Sequence, residues 1–167
     1  MNVALGSAAL LFGLGASVLG AGTLAVGLVK KRPRLLLLGR SYALLAFLGA
    51  LAAFAVMERA LITRDFTVAY VAENGSTKTP ALFNVATLWA ALEGSILLWA
   101  LILTGYLMAM VRKFRHRQSD PLVGWANLTM LVICIFFVGL MVTVAKPVVP
   151  FSPTPGFDGP GPNPLLQ

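Results

Sequence analysis

The sequence predicts an all-α integral membrane protein with four transmembrane helices, and three observations predict it. Hydrophobic residues make up 58% of the 167 and charged residues 11%, with a mean hydropathy of +0.85; soluble domains lie nearer half apolar and a quarter charged. Four apolar runs, at about 3–29, 35–57, 84–111 and 122–145, are each long enough to cross a hydrocarbon core, which takes roughly 20 helical residues. The runs are continuous and not alternating, so they fit helices and not the strands of a barrel.

The first two runs carry a packing signal. Gly6, Gly13, Gly20 and Gly27 recur at seven-residue spacing with Ser17 between them, and the second run has a small-residue ridge in Gly39, Ala43, Ala46, Ala50 and Ala53. Small residues let membrane helices approach closely where lipid offers no hydrophobic drive. Helices 1 and 2 are therefore expected to pack tightly, with each other favoured by their short connection. The third run has two readings: it starts at Gly94, or further back near Leu82. In the fourth, Cys134 is the only cysteine, and with no CxxC it reads as a small buried apolar residue.

The +7 charge is a topology signal. Lys30, Lys31, Arg32, Arg34 and Arg40 surround the first connection; Arg112, Lys113, Arg115 and Arg117 fill the second. Positive residues stay on the cytoplasmic side, so both termini are expected outside (N-out/C-out), with an outer loop at 58–83 and an outer tail at 146–167. The excess basic charge suits anionic membrane lipid and leaves nucleic acid without support. No basic region precedes the first run, which reads as a retained reversed anchor and not a cleaved signal peptide.

In the loop, Phe66, Val68 and Tyr70 alternate with Thr67 and Ala69, the period of a half-buried strand. Asn74-Gly75 is a turn signal, so a small hairpin is expected, with Ser76–Thr79 as a weak second strand stopped by Pro80. The 21 residues from Pro147 onward include seven prolines and three glycines, and should be extended or irregular.

Glu93 is the one acid in or near a span, and an intramembrane acid is a functional candidate. If the third helix starts at Gly94, Glu93 lies at the interface; if near Leu82, it lies about 12–16 Å inside at 1.5 Å per residue and needs a partner. Trp89 and Trp99 flank it and read either as aromatic anchors or as part of a ligand-facing surface. His116, among Arg112, Lys113, Arg115 and Arg117, reads as solvated. No zinc spacing, P-loop, nucleophile elbow or paired carboxylates occur in the sequence, so no catalytic or metal-binding residue is assigned.

Three motifs carry a resemblance. Asp65-Phe66-Thr67-Val68-Ala69-Tyr70-Val71-Ala72 leads into Trp89-x-x-x-Glu93-Gly94-Ser95-x-Leu97-Leu98-Trp99, and the chain closes on Asn163-Pro164-Leu165-Leu166-Gln167. Together they resemble the CcmF family, the membrane-embedded haem lyase of bacterial cytochrome c maturation. The resemblance implies a component of cytochrome c biogenesis in the inner membrane, its functional face periplasmic. The whole machine would take haem from a periplasmic haem chaperone and attach it to the CxxCH motif of apocytochrome c. This chain resembles the family's N-terminal part, a split subunit or fragment expected to be inactive alone. It would supply scaffold helices, a lid motif (Asp65, Phe66, Val68, Tyr70) and a haem- or partner-facing surface (Trp89, Glu93, Gly94, Ser95, Trp99). The resemblance implies haem b in the complete complex. Its histidine ligands and the WWD segment would lie on the remaining CcmF-like part, reached in the family through the Asp-Pro-Gly and His-Pro-Pro segments that follow position 167. Two other readings stand beside this one: a structural subunit of another transporter or respiratory complex, and a proton-conducting element built on Glu93, for which no second intramembrane acid continues a relay.

Overall fold

The computed structural model of the chain describes residues 1–117 and 119–161. The tail motif 163–167 lies outside the described residues. Four long helices form an antiparallel bundle: α1 (Asn2–Val29), α2 (Pro33–Ile62), α5 (Leu92–Lys113) and α6 (Pro121–Leu140), the last continued by a π-helical turn, Met141–Ala145. Two short helices, α3 (Ala69–Asn74) and α4 (Ala81–Thr87), lie between α2 and α5. All four long helices have the length and apolar composition to cross a membrane. The shortest continuous α-helix among the first three, α5, has 22 residues and spans about 33 Å at 1.5 Å per residue.

Helix ends follow local chemistry. Pro33 and Pro121 stand in the first turns of α2 and α6, where a missing N–H costs nothing. The Asp120 side chain accepts the Leu122 N–H at 2.9 Å and caps α6. Its hydrogen bonds from Arg117 and Leu122 hold this partly covered carboxyl below the usual carboxylate range. α1 and α2 close on Schellman turns: Arg32 N–H to Gly27 O (2.8 Å) and Asp65 N–H to Ala60 O (2.9 Å). The left-handed residues in these turns are Lys31 and Arg64, where glycine is the usual occupant.

The expected α1–α2 pairing is the main helix contact of the bundle, and both small-residue ridges are buried. Among the glycines of this seam, backbone approaches backbone most closely at Gly49, which the ridge read from sequence omitted. A Cβ there would stand 2.6 Å from Gly13 Cα and 3.0 Å from Ala9 O. The glycine face of α1 serves several neighbours: Gly20 meets Tyr42 of α2 and Leu131 of α6, and Gly6 meets Val148 of the tail. Ser17 is fully buried and returns its hydroxyl to Gly13 O at 2.8 Å, which satisfies it inside an apolar bundle. Cys134 is buried among Leu107 and Leu131, as a small apolar residue would be.

The loop differs from the expected hairpin. Val68 pairs across a single antiparallel bridge with Pro150 of the tail, through Ala69 N–H to Val149 O at 2.9 Å and Phe151 N–H to Thr67 O at 2.8 Å. Tyr70 then enters α3, and Gly75 caps it with extended backbone. The alternation at 66–70 did mark an extended segment, but its partner lies about eighty positions away, beyond any local pattern. Ser76–Thr79 instead wraps a carboxylate: Asp158 accepts the Thr77 N–H (2.8 Å), the Thr77 hydroxyl (2.7 Å) and the Ser76 hydroxyl (3.2 Å). The expected third span, 84–111, is also divided. α4 ends at Thr87, the turn Leu88–Ala91 intervenes, and the long helix begins at Leu92.

Candidate functional site

The N-terminus, the 63–91 segment and tail residues 146–161 gather at one end of the bundle, and the basic connections lie at the other. At the gathered end the chain buries Val68, Tyr70, Val71 and Leu88 against Leu10, Met57, Leu97 and Met141 of the long helices. The lid motif is therefore a plug continuous with the helix core.

Each residue of that motif has a structural partner. The Asp65 carboxylate accepts the Thr67 N–H (3.2 Å), the Thr67 hydroxyl and the Asn2 side-chain amide (2.7 Å). Asn2 also accepts from Arg59 at 2.7 Å. One buried asparagine thus ties the start of α1 to the end of α2 and to the loop. Partial burial alone would raise the Asp65 pKa, but the hydrogen bonds from Thr67 and Asn2, with the nearby N-terminal ammonium, hold it below the usual carboxylate range. Phe66 meets Phe157 of the tail edge to face at 5.7 Å, and Val68 is fully buried.

Tyr70 joins the two motifs. Its single O–H is shared between the carbonyls of Thr87 (2.9 Å) and Leu88 (2.8 Å), at the turn that launches α5. Burial, reinforced by the Glu93 and Glu58 carboxylates, pushes the phenol well above its ordinary range, so it remains a donor. Gly94 makes this geometry possible. A Cβ at Gly94 would overlap the Leu88 carbonyl and stand 2.5 Å from the Tyr70 hydroxyl. Ser95 continues the lock, its hydroxyl donating to Trp89 O at 3.0 Å.

Glu93 is the second residue of α5 and half-buried, at the end of the helix and not deep within it. It lines a cavity of about 270 Å³ with Tyr70, Glu73, Lys146 and Pro147. Glu73 and Lys146 were not singled out from the sequence: Glu73 joins only once 69–74 is helical, and Lys146 only once the tail folds back. The outer loop expected at 58–83 took in Glu58, but α2 runs through this residue to Ile62, and its Oε2 is buried without a hydrogen-bond partner among the described residues; Glu93 is therefore not the one acid in or near a span. The tryptophans are not brought onto this cavity. Trp89 is exposed in the turn before α5, and Trp99, six residues beyond Glu93, points outward from the bundle at 56% exposure. His116 is exposed at the basic end, and no cluster of three metal-ligating side chains occurs among the described residues.

With this geometry in place, comparison with known proteins is direct. No protein-family model matches the chain. It is 33% identical over 141 residues to the cytochrome c-type biogenesis protein CcmF of Escherichia coli (strain K12), covering 84% of this chain and 22% of that one. It is 31% identical along its whole length to CycK of Rhizobium meliloti (strain 1021), of which it covers 24%. A solved structure named "Cytochrome c Heme Lyase CcmF" superposes with a TM-score of 0.77 at 38% identity, over 89% of this chain and 25% of that one. The chain belongs to the CcmF family. It corresponds to the family's N-terminal portion and spans about a quarter of the length of the relatives it matches. As in the CcmF fold, it is a multi-pass membrane protein.

Proposed function

We propose that the chain serves cytochrome c maturation as the N-terminal scaffold of a CcmF-type haem lyase in the bacterial inner membrane. The basic end faces the cytoplasm, by the positive-inside rule, and the gathered end, with both termini, faces the periplasm. The observation that carries this reading is the Tyr70–Leu88–Gly94 lock. The lid motif and the Trp89–Trp99 motif that resemble the family form a single hydrogen-bonded unit at the mouth of the bundle. The family's relatives are named for cytochrome c biogenesis, and the matching structure for haem lyase.

In this role the chain's residues position and do not perform bond chemistry. The lock sets where α5 starts, and with it the place of Glu93 and the exposed faces of Trp89 and Trp99. Those faces are offered to the remaining CcmF-like part, which carries the WWD segment, the histidine ligands and haem b. His116 lies at the far end of the bundle from this surface, which supports placing the iron ligands on that other part. A periplasmic haem chaperone and apocytochrome c handling proteins would dock on the same side.

The test is a mild-detergent pull-down of the chain from its native membrane, with peptide mass spectrometry and a pyridine haemochrome assay on the eluate. Co-purification of a WWD-bearing protein with haem b is the expected result. A haem-free eluate lacking such a protein would overturn the assignment.

A further inference from the structure

The α6 helix ends in a π-helical turn, and Lys146 follows it with left-handed backbone (φ 43°, ψ 55°), its N–H bonded to Met141 O at 2.9 Å. A lysine rarely adopts this conformation, and π-turns are frequent at functional sites. Beside the turn lies a second cavity, of about 240 Å³, between α1 and the tail. Leu10, Leu11, Met141, Val142 and Val148 make its walls apolar, and its polar groups are Lys146 and Ser7, whose hydroxyl makes a long 3.5 Å bond to Val148 O. It opens on the flank of the bundle, where Leu11 is 56% exposed. Leu10 and Leu11 stand about 12 Å below the start of α1, at 1.5 Å per residue. The groove thus runs from the end of the helices into the depth of one leaflet.

The Lys146 ammonium is exposed, and among the described residues no carboxylate stands within ion-pair distance of it. Glu73 and Glu93 line the neighbouring cavity, on the other side of Lys146. A groove that is apolar along its length, with a cation and a hydroxyl at the interfacial end, matches the two halves of a phospholipid. Lysine at a membrane surface attracts anionic headgroups. We infer that this groove is a specific site for an anionic phospholipid. One acyl chain lies along Leu10, Leu11, Met141 and Val142, and the phosphodiester meets Lys146 and the Ser7 hydroxyl. The left-handed turn places Lys146 where it lines both this groove and the cavity beside it. This inference does not depend on which leaflet the end occupies, nor on the haem lyase reading.

The test is native mass spectrometry of the full chain in mild detergent with added phosphatidylglycerol or phosphatidylethanolamine. Wild-type protein should keep one phosphatidylglycerol under conditions that strip phosphatidylethanolamine. Lys146→Gln, an exposed substitution, should lower that retention about fivefold. Val142→Phe, which fills the groove with Lys146 intact, should abolish it, with monodispersity and helicity checking its fold. Arg34→Gln at the basic end should leave it unchanged. Equal retention of the two lipids, or wild-type retention by Lys146→Gln, would overturn the proposal. So would displacement by glycerol phosphate alone, or a lipid-free dimer showing that a second copy fills the groove.

Discussion

Gly94→Ala tests the joint between the two motifs. The new Cβ would overlap the Leu88 carbonyl oxygen and stand 2.5 Å from the Tyr70 hydroxyl. Neither neighbour is the free end of a flexible side chain: one is backbone in the turn before α5, and the other is a buried phenol held by two carbonyls. Relief therefore requires the start of α5 to move away from the turn, breaking the Tyr70 bonds. Overpacking of this kind costs about 1–3 kcal/mol, and loss of a buried hydrogen bond adds about 1 kcal/mol, for a total of about 2–4 kcal/mol. Equilibrium unfolding in mixed micelles should show that loss in Gly94→Ala. Tyr70→Phe, which removes the hydroxyl alone, should cost less. The double variant should fall short of the sum, because both act on one contact. A Gly94→Ala protein within 0.5 kcal/mol of wild type would refute the argument.

Two further predictions follow from the packing and the charges. Gly49→Leu should force α1 and α2 apart at the Gly13–Gly49 crossing and destabilise the bundle by more than the 1–3 kcal/mol typical of a small overpacking, whereas Gly15→Leu, which meets nothing within 4 Å, should be near neutral in the same unfolding assay. The depressed Asp65 pKa means that this carboxylate contributes stability above about pH 4, its unfolded value, and that the contribution is lost as pH falls through the lower folded value. An acid titration of thermal stability should therefore show a limb below pH 4 that Asp65→Asn flattens, and an unchanged limb would remove Asp65 from the Asn2–Arg59 tie.

What the residues alone determined is what one-dimensional chemistry can carry. The lengths of the apolar runs dictate four helices, because a hydrocarbon core accepts backbone only when its hydrogen bonds close within the segment. The glycine and alanine ridges dictate the α1–α2 seam, since a small-residue face on a helix has a fixed period. The Asp65–Ala72 and Trp89–Trp99 motifs pointed to the family by themselves. Tertiary structure decided the rest. Pairing of Val68 with Pro150 depends on the chain running out and back through the long helices α5 and α6, so the alternation at 66–70 looked like half of a local hairpin. The depth of Glu93 depended on whether the helix ran through Leu88–Ala91; it stops there, where the Tyr70 hydroxyl meets the Leu88 carbonyl and Gly94 lets that carbonyl come close. Lys146 gained its place only from the turn that ends α6 and the tail that folds back over α1. A hydrogen bond or a cavity is made by atoms brought together across the chain, and no spacing along it records their meeting.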